Sequence, residues 1–311
     1  MLERTLAEQL SIVIPAHNEE AAIAVVLDAL LRDCRGAEVI VVDDASSDGT
    51  AVQVKRFPNV RLVRLRYNRG QGHALKTGMR LATRTYVAWF DGDNEHRTED
   101  LVRLVERIAA EDLVAVIGQR ATASTSLVRA AGKAMIRTIG RGLKIRAGSD
   151  LNCGLRVFRR DIILRYLPMV PDRFSASLMT TLIMLERRYP IEFVPVATSP
   201  RIGASTVGLK DGFEAILMLL RAIMIFAPIR VFFPFGLWVA AIGMVYGFVI
   251  FFIRHEGFPV GAMLLVMIGL LSMMLGLIAD QISQMQLSRL SEGAPLDTDV
   301  SADRPSDRQS S

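Results

Sequence analysis

Asp91 and Asp93 stand two residues apart, directly after the apolar run Tyr86–Phe90. Alternate residues of a strand share a face, so both carboxylates are expected to point at one place. Paired hard oxygen donors suit Mg2+ or Mn2+, ions that keep some of their waters and also bind phosphates. Three further polar clusters also follow apolar runs. They are Pro15-Ala16-His17-Asn18-Glu19-Glu20, Asp43-Asp44-Ala45-Ser46-Ser47-Asp48-Gly49-Thr50 and Gly118-Gln119-Arg120. No G-x-G-x-x-G and no G-x-x-x-x-G-K-[ST] opens a helix, which argues against a dinucleotide dehydrogenase and a P-loop NTPase. Gly70-Gln71-Gly72 lacks the third glycine at the required step.

The elements that must position these clusters alternate between short apolar runs and helical periods. Leu10–Pro15, Glu38–Val42, Val60–Leu65, Tyr86–Phe90 and Leu113–Ile117 read as strands. Glu19–Arg32, Gly72–Thr83 and Thr98–Ala109 read as helices, with Asn18 and Glu19 expected to cap the first. Strand-then-helix order predicts an α/β domain with a doubly wound, mostly parallel sheet. Ligands bind such sheets at the carboxyl ends of the strands, where all four polar clusters fall.

The chain has 311 residues, 51% of them apolar and 22% charged, too apolar for a disordered protein. Two cysteines, Cys34 and Cys153, make no disulfide framework. Residues 280–311 carry six acids against three arginines, a charge of −3, which leaves +8 for residues 1–279 of the overall +5. A basic body suits an anionic partner. The acidic clusters among its polar rims argue against nucleic acid.

Residues 231–253 and 259–279 contain no charge, and each is long enough to cross a bilayer as a helix. The short link 254–258 makes them a hairpin with both outer ends on one side. Arg221, Arg230 and Arg289 place that side in the cytoplasm by the positive-inside rule. Leu209–Ala227 is apolar with Lys210, Asp211, Glu214 and Arg221 on one helical face, the pattern of a helix lying in the membrane interface. The expected partition is a catalytic domain over 1–207, an interfacial helix over 208–229, a hairpin over 230–282 and a disordered tail over 283–311.

Several motifs in this order resemble a known family. "SIVIPAHNEE" at 11–20, "VVDDASSDGT" at 41–50, "NRGQGHALKTG" at 68–78 and "DGDNEH" at 91–96 resemble family 2 glycosyltransferases of the GT-A fold. "GQR" at 118–120, "SDLNCGLRVFRRD" at 149–161 and "RIGAST" at 201–206 resemble its polyprenyl-phosphate branch, which includes dolichyl-phosphate mannose synthase and bacterial undecaprenyl-phosphate sugar transferases. The resemblance covers about residues 10–210, and the hairpin is similar to that of the two-span members. It implies inverting transfer of a sugar from a UDP- or GDP-linked donor to a polyprenyl phosphate, undecaprenyl phosphate for a bacterial chain. It implies a multi-pass protein of the bacterial inner membrane with its catalytic domain in the cytoplasm, and it allows a homo-oligomer.

The resemblance also assigns residues. Asp91 and Asp93 would hold the metal, with Glu95 as a further ligand or neighbour and Gly92 between them. Asp43 or Asp44 would read the base or ribose, in a pocket lined by Pro15, His17, Asn18 and Glu19. Lys76 would bind substrate. Arg120 and Arg201 are the candidates for holding the lipid phosphate, because a planar guanidinium matches phosphate geometry. Asp150 would position the acceptor or the reacting sugar. Ser205 belongs to the last motif, and Lys210 would replace a lysine that relatives carry where this chain has Thr206. Cys153 is expected to be a small packing residue, and His73, His96 and His255 to be surface or loop residues. Two other readings compete. A catalytically inactive nucleotide-sugar-binding adaptor is opposed by intact Asp91, Asp93 and Arg120. A processive polysaccharide synthase would need more spans and a Gln-x-x-Arg-Trp motif, which the chain lacks.

Overall fold

In a computed structural model, residues 1–120, 153–172, 176–199, 228–254 and 257–292 are described. A seven-stranded sheet is built from β1 (Leu10–Ala16), β2 (Glu38–Asp43), β3 (Val60–Arg64), β4 (Tyr86–Trp89), β5 (Ala115–Arg120), β6 (Arg156–Arg159) and β7 (Ile191–Val196). Its order is β3-β2-β1-β4-β6-β5-β7. Only β6 runs antiparallel to its neighbours, β4 and β5; the other pairings are parallel. The chain lays β2 and β3 on one side of β1 and β4 on the other. This reversal opens a crevice at the carboxyl ends of β1 and β4.

The central strand β1 is buried along its whole length. That explains its continuous apolar run, because a parallel strand is covered on both faces. One face packs on α2 (Ile23–Asp33) and α5 (Thr98–Ala110) through Ile12, Ile14, Leu27, Leu30, Leu104 and Ile108. The other packs on α4 (Gln71–Leu81), α6 (Arg160–Tyr166) and α7 (Ala176–Glu186) through Val13, Met79, Trp89, Phe158 and Ile183. Short helices α1 (Arg4–Ala7) and α3 (Thr50–Val54) complete the shell.

Three differences from the sequence reading stand out. Strand β6 was not expected, because a four-residue run with arginine at both ends carries little apolar signal. Helix α2 starts at Ile23, and its N-cap, Ala22, makes no side-chain cap. Asn18 and Glu19 therefore do not cap it in the expected way; the Asn18 carboxamide oxygen accepts from Ser47 N–H at 2.9 Å instead. The third difference lies at the C-terminus. Helices α8 (Ile229–Arg254) and α9 (Val260–Glu292) form the apolar hairpin, and α9 runs on through residues 283–292, where a disordered tail was expected.

The hairpin packs through small residues. A Cβ on Gly236 would stand 2.5 Å from Gly269 O, and one on Gly243 would stand 2.9 Å from Ala262 O. Such close backbone approach is how helices associate in lipid, where apolar side chains gain nothing by leaving the solvent. The outer faces are apolar and exposed, with Trp238, Phe252 and Ile253 among them. Stretches of 25 and 26 residues in these helices are long and apolar enough to cross a membrane.

Candidate active site

The loops after β1 and β2 form one half of the crevice. Asp43 is fully buried. It accepts from Arg64 Nε and Ser46 N–H, at 2.9 and 2.8 Å, so the charge is paired and the turn held. Asp44 is nearly buried and accepts from Arg69 N–H at 2.9 Å and Gly70 N–H at 2.7 Å. A carboxylate has about four acceptor positions, so Asp44 retains capacity for a ligand. Pro15 is buried, whereas His17 and Asn18 are exposed. His17 Nδ1 lies 2.9 Å from Asp44 O, and Nε2 lies 3.1 Å from Asn68 Nδ2. Both contacts are satisfied by the tautomer with its proton on Nδ1. Asn18 adopts a left-handed backbone (φ 56°), a conformation asparagine tolerates well, and its N–H donates to Ser46 Oγ. Glu19 N–H donates to Thr50 Oγ1, which ties the two loops together again.

The loop after β4 forms the other half. Strand β4 ends at Trp89, so Asp91 and Asp93 lie on the following turn. The alternation expected to aim both carboxylates one way does not apply; the turn and its neighbours do the aiming. Gly92 is buried, and a Cβ there would press Ile23 Cδ1 at 3.3 Å. Asp93 Oδ1 accepts from Glu95 N–H at 3.0 Å. Glu95 Oε1 lies 3.4 Å from Arg120 at the end of β5. Asp91 Oδ1 accepts from Gln71 Nε2 at 2.9 Å, and Oδ2 lies 3.3 Å from His96 Nε2. Neither His96 nitrogen has an aligned hydrogen bond among the described residues. Burial pushes the Asp91 carboxyl up, but His96, Arg120 and Arg156 outweigh it and the net direction is down. Burial pulls His96 down, and Asp91, Glu95 and Asp93 reverse that, so the imidazole shifts up. His96 is buried, contrary to the surface or loop position expected, because its ring fills the space beside Asp91 and Phe90.

Among the described residues, no group of three or more His, Cys, Asp or Glu side chains could hold a metal ion. The donor set fits an ion that shares its shell with a ligand's phosphates, since Asp91 and Asp93 offer hard carboxylate oxygens. It does not amount to a closed protein cage, and Glu95 is already engaged by Arg120.

Lys76 is ion-paired with Asp172 and donates to Val170 O at 2.9 Å. His73 and Arg69 approach the same carboxylate at 3.3 and 3.6 Å. Asp150, Arg201, Ser205 and Lys210 lie outside the described residues, as does the expected helix 209–227. The chain leading toward them is anchored beside the site: Ser199 N–H donates to Glu95 O at 2.9 Å, and Thr198 bridges His96.

Four residues of this site were not singled out from sequence: Gln71, Gly154, Arg156 and Asp172. A Cβ on Gly154 would stand 2.0 Å from Asp91 Oδ2. Arg156 is fully buried, donating to Cys153 O, Ser177 O and the Thr180 and Thr181 hydroxyls, with its guanidinium 5.4 Å from the Trp89 ring. The motifs quoted above contain the first three, but only contacts reveal what each touches. Cys153 is buried in the core, as a packing residue should be.

Comparison with known proteins follows the same division. A GtrB C-terminal hairpin model matches residues 227–285. The undecaprenyl-phosphate 4-deoxy-4-formamido-L-arabinose transferase of Pectobacterium carotovorum is 32% identical over 50% of this chain and 50% of its own. The chain thus spans about half the length of that relative. The dolichyl-phosphate beta-glucosyltransferase of Dictyostelium discoideum is 26% identical over 74% of this chain and 76% of its own. The dodecaprenyl-phosphate galacturonate synthase of Rhizobium johnstonii is 27% identical over 76% and 74%. Among solved structures, glucosyl-3-phosphoglycerate synthase from Mycobacterium tuberculosis, in complex with Mn2+, UDP-glucose and phosphoglyceric acid, superposes with a TM-score of 0.57. It is 21% identical and covers 70% of this chain and 81% of its own, a likeness of fold. The glycosyl transferase family 2 model spans residues 11–167, half of the chain, from β1 past the carboxylate turn to α6, and the chain belongs to that family.

Proposed function

We propose that this protein transfers a sugar from a nucleoside-diphosphate sugar to a polyprenyl phosphate at a membrane surface. One observation carries the reading: a carboxylate site at the strand ends and a two-helix apolar hairpin occur in one chain. The names of the relatives support it. Asp44 and the 15–19 loop contact the nucleoside, while Asp43, fully buried, holds the turn. Asp91 and Asp93 bind a divalent cation, Mg2+ or Mn2+, together with the donor's diphosphate; Mn2+ accompanies UDP-glucose in the mycobacterial neighbour. When bound, that ion supplies Lewis-acid neutralisation of the leaving group.

Arg120 holds the acceptor phosphate, and Glu95 orients the guanidinium. Arg201, Ser205 and Lys210 join it from the segment that follows Ser199, and Asp150 positions the acceptor. A lipid phosphate has a second pKa near about 6, so it reaches the site largely as a nucleophile and needs no strong base. Its oxygen attacks the anomeric carbon, the bond to the nucleoside diphosphate breaks, and in-line geometry inverts the centre. The hairpin sits in a bacterial inner membrane and residues 208–229 lie in its interface, with the catalytic domain over 1–207 on the cytoplasmic face. Lys76 acts behind the site through Asp172.

The test uses purified full-length protein in detergent with undecaprenyl phosphate. A panel of labelled UDP- and GDP-sugars is offered with and without Mg2+ or Mn2+, and label entering the organic phase is counted. Metal-dependent transfer from one donor, lost in Asp93→Asn, is the expected result. Nucleotide binding with no transfer from any donor would overturn it in favour of an inactive adaptor.

A further inference from the structure

The chain entering α4 touches both halves of the crevice. Arg69 N–H and Gly70 N–H hold Asp44, and the next residue, Gln71, donates through Nε2 to Asp91 Oδ1 at 2.9 Å. Three consecutive residues thus hold one carboxylate after β2 and another after β4, the strands on either side of β1. The second Asp91 oxygen lies 3.3 Å from His96 Nε2, and a Cβ on Gly154 would stand 2.0 Å from it. The turn itself is braced from behind. His73 N–H donates to Asp172 O at 2.7 Å, and Arg69, His73 and Lys76 surround the Asp172 carboxylate.

A carboxylate on a turn has two free side-chain torsions, and fixing them costs entropy each time a ligand is bound. A donor that fixes them in advance removes that cost. The chemistry of the donor matters. A lysine or arginine in place of Gln71 would orient Asp91 but cancel its charge and compete with a cation. A carboxamide orients through one N–H and leaves the negative charge intact.

We propose that Gln71 is a positioning residue for Asp91. Its amide sets the carboxylate to meet the cation of a nucleoside diphosphate and joins that half of the site to the Asp44 half. This rests on the functional reading above and adds a residue to it.

The experiment measures calorimetric binding of UDP and of GDP to the full-length protein, each with and without Mn2+, for wild type, Gln71→Ala and Gln71→Met. Methionine keeps the length and bulk of the side chain but has no N–H to donate. The expected result is that Mn2+ tightens nucleotide binding in wild type, and that both variants lose about tenfold of this gain. Metal-free binding should stay within twofold, a split that a merely structural loss would not produce. Wild-type gain retained in both variants, or retained in Gln71→Met alone, would overturn the inference while leaving the functional reading intact. A wild type that binds neither nucleotide with Mn2+ would overturn both.

Discussion

Replacing Gly154 by alanine adds one methyl group to the molecule, and that group lands on Asp91, the carboxylate proposed above to bind the cation. The new Cβ would stand 2.0 Å from Asp91 Oδ2, 2.9 Å from Cγ and 3.2 Å from Oδ1. Comfortable contact begins near about 3.5 Å, so Oδ2 must retreat by roughly 1.5 Å. Both oxygens turn with one carboxylate, so that movement also disturbs the 2.9 Å bond from Gln71 to Oδ1. A misplacement of about 1 Å at a reacting centre costs on the order of 100-fold in rate, equivalent to about 2.7 kcal/mol of transition-state stabilisation. The stability cost should be smaller, about 1 kcal/mol, at the low end for overpacking, because the Asp91 side chain is 21% exposed and can swing outward. Gly36→Ala serves as the comparison. Gly36 has φ +99° and precedes β2, at the end of the sheet away from the site, so alanine there is strained without touching a carboxylate. Sugar transfer to undecaprenyl phosphate and thermal unfolding in detergent would be measured for both. Gly154→Ala should lose transfer far beyond its loss of melting temperature, and Gly36→Ala should lose melting temperature only. Wild-type turnover in Gly154→Ala, or equal activity loss in the two variants, would refute the steric account of Asp91.

Gly269→Leu should splay the hairpin, because even a Cβ there would stand 2.5 Å from Gly236 O; a loss of about 1–3 kcal/mol is expected, read as a lower melting temperature in detergent, with nucleotide binding retained. Asp100→Ala removes a buried carboxylate that accepts Ala197 N–H at 2.9 Å and pairs with Arg103. It should weaken the apparent affinity for the lipid acceptor more than for the nucleotide, which steady-state kinetics with each substrate varied would show. Pairing with Lys76 pulls the Asp172 carboxyl down and burial pushes it up; His73 adds to the lowering, so the carboxyl is held below the usual aspartate range. Its stabilisation is therefore complete above the unfolded value of about 4 and fades as pH falls through the depressed folded value. Asp172→Asn should melt below wild type at pH 7, and the gap should close as the pH drops below about 4.

The sequence alone determined the parts with strong local signals. Apolar runs as short as Leu10–Pro15 were legible as strands because a parallel strand buries both faces, and the observed β1 is buried throughout. The two charge-free stretches became the helical hairpin, since length and apolarity suffice to specify a helix that can enter a bilayer. The polar clusters at 15–20, 43–50, 91–93 and 118–120 announced a rim because chain polarity puts every parallel strand's carboxyl end on one side. Tertiary structure decided the roles within that rim. Asp43 and Asp44 are adjacent in sequence, yet one is sealed by Arg64 and the other is held by the backbone of Arg69 and Gly70, just ahead of α4. Asp91 is set by a carboxamide twenty positions upstream and a glycine on the lead-in to β6, and Asp93 accepts from Glu95 N–H within its own turn; no period in the sequence encodes those contacts. His96 read as a loop residue because burial beside a carboxylate depends on what packs over it, here Phe90 and the bridge to Thr198. Local pattern sets which elements form. Which side chains meet depends on crossovers between distant segments, and those are settled only when the sheet is assembled.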